Sequence, residues 1–393
     1  MIAIGAILAH GMAVKDRWFH WSRLLLVFVP AAGILDAWQP AQPVWTFACA
    51  ALALFPLAGL IGGATETLAD RLGGATGGLL NATFGNAAEL IIGALALRRG
   101  LPDLVKASIT GSIIGNVLLV FGAAALAGGL RRPFQRFNRT AAGAGTTMLI
   151  LSAVALTVPA VFHWLARATD PRIQLELDAE IAVVLLLAYA CYLLFTLHTH
   201  RRILARVPQA AADGLSERLV GERHEERPEP EHERRPDTGV TGALVTLVMA
   251  TIAASYVSEL LVSTVEATST RLGVTHLFIG VIVVAVVGNA AEHYSAVTLA
   301  MHDRMDAALA IAVGSSTQVA LFVAPVLVFL SYVIAPQPLN LLFTTFEVAS
   351  VVMSVLVIAF IAHDGETHWM EGVMLLSVYV ILALGFFFLP APR

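Results

Sequence analysis

Long apolar runs separated by short polar connections make up most of the chain. A helix needs about 20 apolar residues to cross roughly 30 Å of hydrocarbon, and each run approaches or exceeds that length. The longer runs are typical of tilted or broken helices. The pattern predicts eleven transmembrane helices, at residues 22–38, 44–70, 77–98, 103–129, 139–165, 176–199, 239–268, 274–301, 305–334, 338–363 and 367–390.

The composition favours a membrane protein over a soluble one. Of the 393 residues, 58% are hydrophobic and 13% are charged, so a soluble fold would have too little polar surface. We therefore expect an all-α polytopic membrane protein in a lipid bilayer. Its two cysteines, Cys49 and Cys191, lie in apolar runs and indicate neither a disulfide framework nor a thiolate metal cluster. The chain has no long basic patch interleaved with aromatic residues, so nucleic acid is not an expected partner.

One short motif occurs twice inside apolar runs. Residues 85–89 and residues 288–292 both read Gly-Asn-Ala-Ala-Glu. A carboxylate at the middle of a membrane costs about 2.5–3.5 kcal/mol on insertion scales, and acids embedded there are usually functional. The repetition indicates that Glu89 and Glu292 form one ion site shared by two halves of the chain.

The two halves match beyond this motif. Glu89 and Glu292 are followed, at the same separation, by Gly-Ser pairs that end at Ser112 and Ser315. Five predicted helices fall in each half, and because five is odd, equivalent helices cross the membrane in opposite directions. The pattern predicts two inverted-topology repeats of five helices, which place substrate at the midplane between them. The expected divisions are an N-terminal region with one extra helix at 1–40, a first repeat at 41–200, a polar linker at 201–238 and a second repeat at 239–393.

Lysine and arginine residues are distributed unevenly between the two sides of the predicted helices. The positive-inside rule then places the N-terminus in the cytoplasm and the C-terminus outside. The linker at 201–238 lies on the cytoplasmic side and mixes acidic and basic residues with prolines. That mixture favours a disordered linker and leaves a regulatory role open. The composition favours a prokaryotic plasma membrane.

The candidate ligands near the two glutamates all offer hard oxygen atoms. An asparagine lies three residues before each glutamate and would share its helix face. Such ligands favour Ca²⁺, Mg²⁺, Mn²⁺ or Na⁺ over softer metals, and Ca²⁺ tolerates a composite site best. The predicted metal ligands are Glu89, Glu292, Asn86, Asn289, Ser112, Ser315, Ser316 and Gln318, with Asn116 as a further amide.

Protons and a metal ion would compete for the same two carboxylates. Burial favours the protonated form of a carboxyl group, whereas a bound dication favours the ionised form. A protein that changes its open side only when Glu89 and Glu292 are neutralised would exchange the two ions. Counting charges gives roughly two protons per dication.

Longer stretches around these residues resemble known signature sequences. Residues 77–92 look like the first signature repeat of the Ca²⁺/H⁺ exchanger family, within the cation/Ca²⁺ exchanger superfamily. Residues 288–293, 303–306 and 314–322 look like its second signature repeat. The chain thus resembles that family over about residues 50–390.

The resemblance implies both a fold and an activity. It implies a ten-helix core plus one N-terminal helix, with Glu89 and Glu292 as the paired acidic ligands. It also implies that the long second and seventh helices slide to alternate access. Among the hard cations, the resemblance points to Ca²⁺ and H⁺ as the exchanged ions. It implies that the chain is a secondary antiporter that exports cytoplasmic Ca²⁺ without a cofactor.

Other functions fit the residues less well. Na⁺(K⁺)/H⁺ or Mn²⁺/H⁺ antiport would use the same scaffold. Cation channels usually have symmetric rings or wet lumens, whereas an inverted repeat fits alternating access better. An intramembrane hydrolase is disfavoured because the chain contains neither His-Glu-x-x-His nor Gly-x-Ser-x-Gly, and we expect no enzymatic activity. Assembly into a homo-oligomer is left open.

Four further ionisable residues each have two interpretations. Glu66, Glu259 and Glu266 lie along the predicted sliding helices, where they would line a cation access route or be solvated at the membrane surface. His293 follows Glu292 directly, and it would be a proton relay or a hydrogen-bonded interior histidine.

Overall fold

A computed structural model describes residues 24–38, 42–166, 171–199 and 239–390. Within these ranges the chain is almost entirely helical, in agreement with the all-α prediction. The polar linker at 201–238 lies outside the described residues, so its disorder stays a prediction. The beginning of the first predicted helix lies outside them as well.

The described first half consists of helices joined by short turns. Two π-helical segments interrupt them: Gly115–Val120 joins α5 to α6, and Phe195–Thr199 extends α8. The elements are α1 (Phe28–Trp38), α2 (Pro43–Leu72), α3 (Gly74–Phe84), α4 (Ala87–Arg98), α5 (Pro102–Ile114), α6 (Phe121–Gly129), β1 (Gln135–Arg136), α7 (Arg139–Leu165) and α8 (Pro171–Leu194).

The described second half is also made of helices joined by short turns. Again two π-helical segments occur: Ile279–Val284 joins α10 to α11, and Val319–Val323 joins α13 to α14. The elements are α9 (Val240–Leu272), α10 (His276–Phe278), α11 (Ala285–Gly288), α12 (Ala290–Met301), α13 (Met305–Gln318), α14 (Ala324–Ile334), α15 (Thr345–Asp364), β2 (Glu366–Thr367) and α16 (Trp369–Phe388).

Eight of the described helical stretches are long and apolar enough to cross a membrane, when α5 with α6 and α13 with α14 are each counted as one continuous helix through the π-helical segment. Two bent pairs, α3 with α4 and α10–α11 with α12, raise the number to ten if each pair is one span. These ten correspond to the second to eleventh predicted spans. The described part of the first predicted span is a shorter apolar helix, Leu25–Trp38, so the total of eleven stays a prediction.

The start predicted for the tenth span is wrong. The sequence predicts a span over 338–363, whereas α15 begins at Thr345 and the preceding residues are not helical. Pro338 has no backbone N–H to donate. The backbone N–H of Leu341 donates to Asp178 Oδ2 at 3.1 Å. A buried side chain of α8 thus supplies the partner that a helical turn would otherwise provide.

Both bent pairs break at the repeated motif. Asn86 has φ −104° and ψ 23° and lies between α3 and α4, which are bent by 44°. Asn289 has φ −93° and ψ 20° and precedes α12, which is bent by 58° from α10–α11. A break at membrane depth frees backbone groups and is tolerated only where protein or a wet cavity surrounds it. The motif therefore marks an interior position in both halves.

The two longest described helices, α2 with 30 residues and α9 with 33 residues, pack along each other. They are the second and seventh predicted spans. Their buried faces contain many small side chains, such as Ala50, Ala53 and Ala254, and small residues let helices approach closely in membranes.

Helices α6 and α16 meet at glycines. A Cβ atom built on Gly372 would contact the backbone nitrogen of Leu126 and would lie 2.7 Å from the carbonyl oxygen of Gly122. Since both neighbours are backbone atoms, neither can move by a simple side-chain rotation. The absence of a side chain at Gly372 is therefore required for this packing.

We expect Gly372→Ala to lower the free energy of unfolding by about 1–3 kcal/mol, because a methyl group overpacks the contact between α6 and α16. The matched control is Gly143→Ala, where an added Cβ meets no atom within 4 Å and helix propensity favours alanine. Unfolding of both purified variants in detergent measures the difference. Equal stabilities would contradict the close packing.

Candidate cation site

The two motif glutamates lie in the first turns of α4 and α12, directly after the breaks. Glu89 is buried, with 8% of its surface exposed. Glu292 is partly buried, and its Oε2 is a buried atom without a hydrogen-bond partner. Each helix N-terminus adds unpaired backbone N–H groups beside its carboxylate. An unpartnered buried carboxylate oxygen is costly unless a proton or a cation completes it.

The two breaks meet inside the protein. A Cβ atom built on Gly288, which ends α11, would lie 3.2 Å from Glu89 Oε1. Glu292 follows four residues later, in the first turn of α12. Glu89 therefore lies directly beside the break of the other half, with no side chain at Gly288 to separate them.

Amide groups connect the second break to both Gly-Ser helices. Asn289 Nδ2 donates to Ser112 Oγ at 2.9 Å and to the carbonyl of Ala285 at 2.8 Å. Asn116 Nδ2 donates to Asn289 Oδ1 and to Ser315 Oγ, each at 2.9 Å. Ser112 belongs to α5 and Ser315 to α13, so both halves of the chain contribute to one hydrogen-bond network.

The first break has a different partner. Asn86 Nδ2 donates to Gln318 Oε1 at 2.6 Å and to the carbonyl of Ala82 at 3.2 Å. Gln318 ends α13 of the other half. Ser316 Oγ instead donates to the carbonyls of Ala312 and Ile113. Its hydroxyl therefore forms a hydrogen bond between α13 and α5.

Asn116 has a larger part in the geometry than its sequence position indicates. It is fully buried, and it binds Asn289 and Ser315 through its amide nitrogen. Its Oδ1 is buried without a hydrogen-bond partner and is therefore available to a cation or to water. The only sequence signal is its place one helical turn after Ser112, because the second half has Val319 at the equivalent position.

The two halves pack differently around the site. Gly111 and Gly314 are equivalent residues of the Gly-Ser pairs. A Cβ atom on Gly111 would contact the carbonyl of Val281 and lie 2.7 Å from Ala285 Cβ, whereas a Cβ atom on Gly314 would meet no atom within 4 Å. Helix α5 is therefore packed tightly against the broken helix of the other half, and α13 has open space at the equivalent place.

A narrow cavity reaches Glu89 on the tightly packed side. Its polar lining comes from Glu89 and from the hydroxyls of Ser108 and Ser112 on α5, and its remaining walls are apolar. The lining residues are Glu89, Gly93, Val105, Ser108, Ile109, Ser112, Val319, Val323 and Leu327.

Glu259 lies away from the candidate ligands. Its Oε1 accepts hydrogen bonds from Arg99 Nε at 3.1 Å and from Arg99 Nη2 at 2.6 Å, and it lies 3.7 Å from Arg98 Nη2. The ion pair joins the middle of α9 to the end of α4.

His293 Nδ1 lies 2.5 Å from the carbonyl oxygen of Asn289, and its Nε2 is buried without a partner.

The described residues contain no group of three or more His, Cys, Asp or Glu side chains that could hold a metal ion. A cation held by Glu89 and Glu292 would need neutral oxygens as further ligands. The buried amides of Asn86, Asn289 and Asn116 are candidates for such oxygens. Two carboxylates with neutral oxygens suit a cation that must also leave.

The sequence pattern of the family described as "Sodium/calcium exchanger protein" matches residues 42–198 and 242–388. This chain belongs to the sodium/calcium exchanger family. The resemblance that the signature sequences indicate is thereby confirmed. The two matched stretches coincide with the two predicted repeats and leave out the polar linker between them.

Relatives of this family member cover nearly its whole length. A protein of Synechocystis sp. named Ca(2+)/H(+) antiporter is 41% identical over 96% of this chain and 99% of its own. The Ca(2+)/H(+) antiporter ChaA of Bacillus subtilis is 42% identical over 94% of this chain and 100% of its own. The solved structure of native YfkE is 37% identical, covers 94% of this chain and 100% of its own, and superposes with a TM-score of 0.76.

A double-mutant cycle tests the amide network of this exchanger-family chain. We expect Asn116→Ala and Asn289→Ala to be coupled by about 1 kcal/mol in unfolding free energy, because they share a buried hydrogen bond. A control cycle pairs Asn116→Ala with Ser377→Ala, whose hydroxyl is exposed and bonds within α16. Unfolding in detergent gives all the values, and additive effects in the first cycle would exclude the shared bond.

Proposed function

We propose that this protein is a secondary active antiporter that exchanges cytoplasmic Ca²⁺ for protons by alternating access. The observation that carries the proposal is the meeting of two broken helices, each with a glutamate in its first turn. The choice of Ca²⁺ and H⁺ as the exchanged ions comes from the names of the relatives in Synechocystis and Bacillus subtilis. Both ions are substrates, and no cofactor is needed.

Glu89 and Glu292 act as the shared binding groups for Ca²⁺ and for protons. Two negative charges at this depth are costly in a low-dielectric interior and are neutralised by one dication or by roughly two protons. Asn86, Asn289, Ser112, Ser315 and Gln318 supply neutral oxygens or hold them in place. Ser316 contributes mainly to helix packing.

The chain is arranged as two inverted five-helix repeats after one N-terminal helix, eleven transmembrane helices in all. Support comes from the equivalent breaks at Asn86 and Asn289 and from the equivalent π-helical segments after α5 and α13. The N-terminus is cytoplasmic, the C-terminus is outside, and the membrane is a prokaryotic plasma membrane.

Alternating access uses the difference between the two glycines of the Gly-Ser pairs. In this orientation α5 runs inward from the outer surface, and the narrow cavity beside its first half, lined by Val105, Ser108 and Ile109, reaches Glu89. Gly111 is packed closely in the described conformation, whereas Gly314 has open space. In the opposite conformation α13 packs closely against α3 while α5 is released. The long helices α2 and α9 move with this change.

Glutamine substitutions test the two carboxylates. We expect Glu89→Gln and Glu292→Gln each to reduce pH-gradient-driven ⁴⁵Ca uptake into proteoliposomes by more than about tenfold, since losing one charged ligand removes over about 1.4 kcal/mol of cation binding. The control is Glu366→Gln, whose ion pair with Arg136 lies between the short strands.

The same vesicles separate the rival antiport reactions. Mn²⁺ and Na⁺ are tested beside Ca²⁺ for collapse of the imposed pH gradient. If Na⁺ alone collapses the pH gradient, Na⁺ and not Ca²⁺ is the substrate. Normal uptake by both glutamine variants would show that the glutamates are not required for transport.

A leucine at Gly314 tests alternating access. The open space at this position accepts the side chain in the described conformation, but close packing of α13 in the opposite conformation does not. We therefore expect Gly314→Leu to keep the parent's melting temperature and Ca²⁺-induced stabilisation while losing at least about tenfold in transport rate. The matched control, Gly143→Leu, also enters open space and should transport normally. Parent-like transport by Gly314→Leu would contradict the proposed closure.

A further inference from the structure

We propose that a pocket between α6 and α16 binds the phosphate headgroup of an anionic phospholipid. The pocket is lined by Gly129, Leu130, Arg131, Arg132, Pro133 and Trp369. It lies where α6 ends and α16 begins, at the edge of the membrane and away from the cation site. The inference depends on the membrane-spanning fold and does not depend on which ion is transported.

The walls of this pocket are fixed by backbone packing. A Cβ atom on Gly129 would lie 2.6 Å from the backbone nitrogen of Trp369, so the ends of the two helices touch. The strands β1 and β2 pair directly beyond them, and Gln135 Nε2 donates to the carbonyl of Ala125 at 3.0 Å. The segment that carries the two arginines is therefore held at both ends.

Two arginines that are adjacent in sequence, Arg131 and Arg132, give the pocket its positive charge. Arg132 Nε lies 3.3 Å from Asp303 Oδ1, and Arg132 Nη1 lies 3.4 Å from the carbonyl oxygen of Met301. A guanidinium has five N–H donors, so these contacts orient Arg132 and leave donors for a further acceptor. Arg131 is exposed beside it. Paired guanidinium groups are well suited to bind phosphate oxygens.

Exposed apolar side chains line the same pocket. Leu130 is 63% exposed and Trp369 is 47% exposed. Tryptophan is enriched where a membrane meets water, and basic pockets between transmembrane helices bind anionic lipid headgroups. A free phosphate ion would use the arginines alone, whereas a phospholipid would also contact this apolar border. The combination favours the lipid.

The test measures lipid binding to the purified full-length protein in a neutral detergent. Phosphatidylglycerol, phosphatidylcholine and inorganic phosphate are added separately, and the melting temperature and the lipid adducts in native mass spectrometry are recorded. We expect phosphatidylglycerol alone to raise the melting temperature and to remain bound. The variant Arg131→Gln with Arg132→Gln should weaken its apparent affinity by about tenfold or more.

Two matched variants keep the test specific. Asp303→Asn removes the competing carboxylate beside Arg132 but keeps both guanidinium groups, so it should bind phosphatidylglycerol at least as tightly as the parent. Arg271→Gln removes an exposed arginine at the end of α9 and should bind phosphatidylglycerol like the parent. Arg131→Gln alone, which keeps the Arg132 contacts, should also weaken phosphatidylglycerol binding. Equal stabilisation by inorganic phosphate, or parent-like adducts in the double variant, would overturn the proposal.

Discussion

The structure depends on the free energy of keeping two carboxylates inside an apolar fold. A helix that continued past Asn86 or Asn289 would leave its glutamate on a regular helical face, without free backbone N–H groups nearby. Breaking the helix one residue after the glycine gives each glutamate a place in a new first turn, where N–H groups and the helix dipole favour negative charge. The breaks are then tolerated because α5, α13, α2 and α9 surround them with protein.

The unequal packing of the two halves is the second main feature of the structure. Equivalent sequences make unequal contacts: Gly111 touches the backbone of the opposite broken helix, and Gly314 has open space. The buried amides are also unequal, since Asn289 bonds to Ser112 whereas Asn86 bonds to Gln318. Packed interfaces have discrete alternative arrangements. If the two halves exchanged these packing arrangements, the same two glutamates would become accessible from one side of the membrane and then from the other.

Much of the fold could be predicted because hydrophobic length is a local property. The predicted spans at 44–70, 139–165 and 239–268 agree with α2, α7 and α9 to within a few residues, since apolar runs of this length have few alternatives in a bilayer. The predicted start at residue 338 failed because a distant aspartate, Asp178, satisfies the backbone N–H of Leu341. No local pattern contains that information.

The repeated motif, the apolar surroundings of both glutamates and the resemblance to an exchanger family can all be recognised along the chain alone. The folded molecule adds that Asn116 joins Asn289 to Ser315, that Ser316 donates to backbone carbonyls, and that Gly111 is packed whereas the equivalent Gly314 is not. Periodicity and insertion cost act along one segment, whereas these contacts join residues about 170–200 positions apart and depend on how whole helices pack.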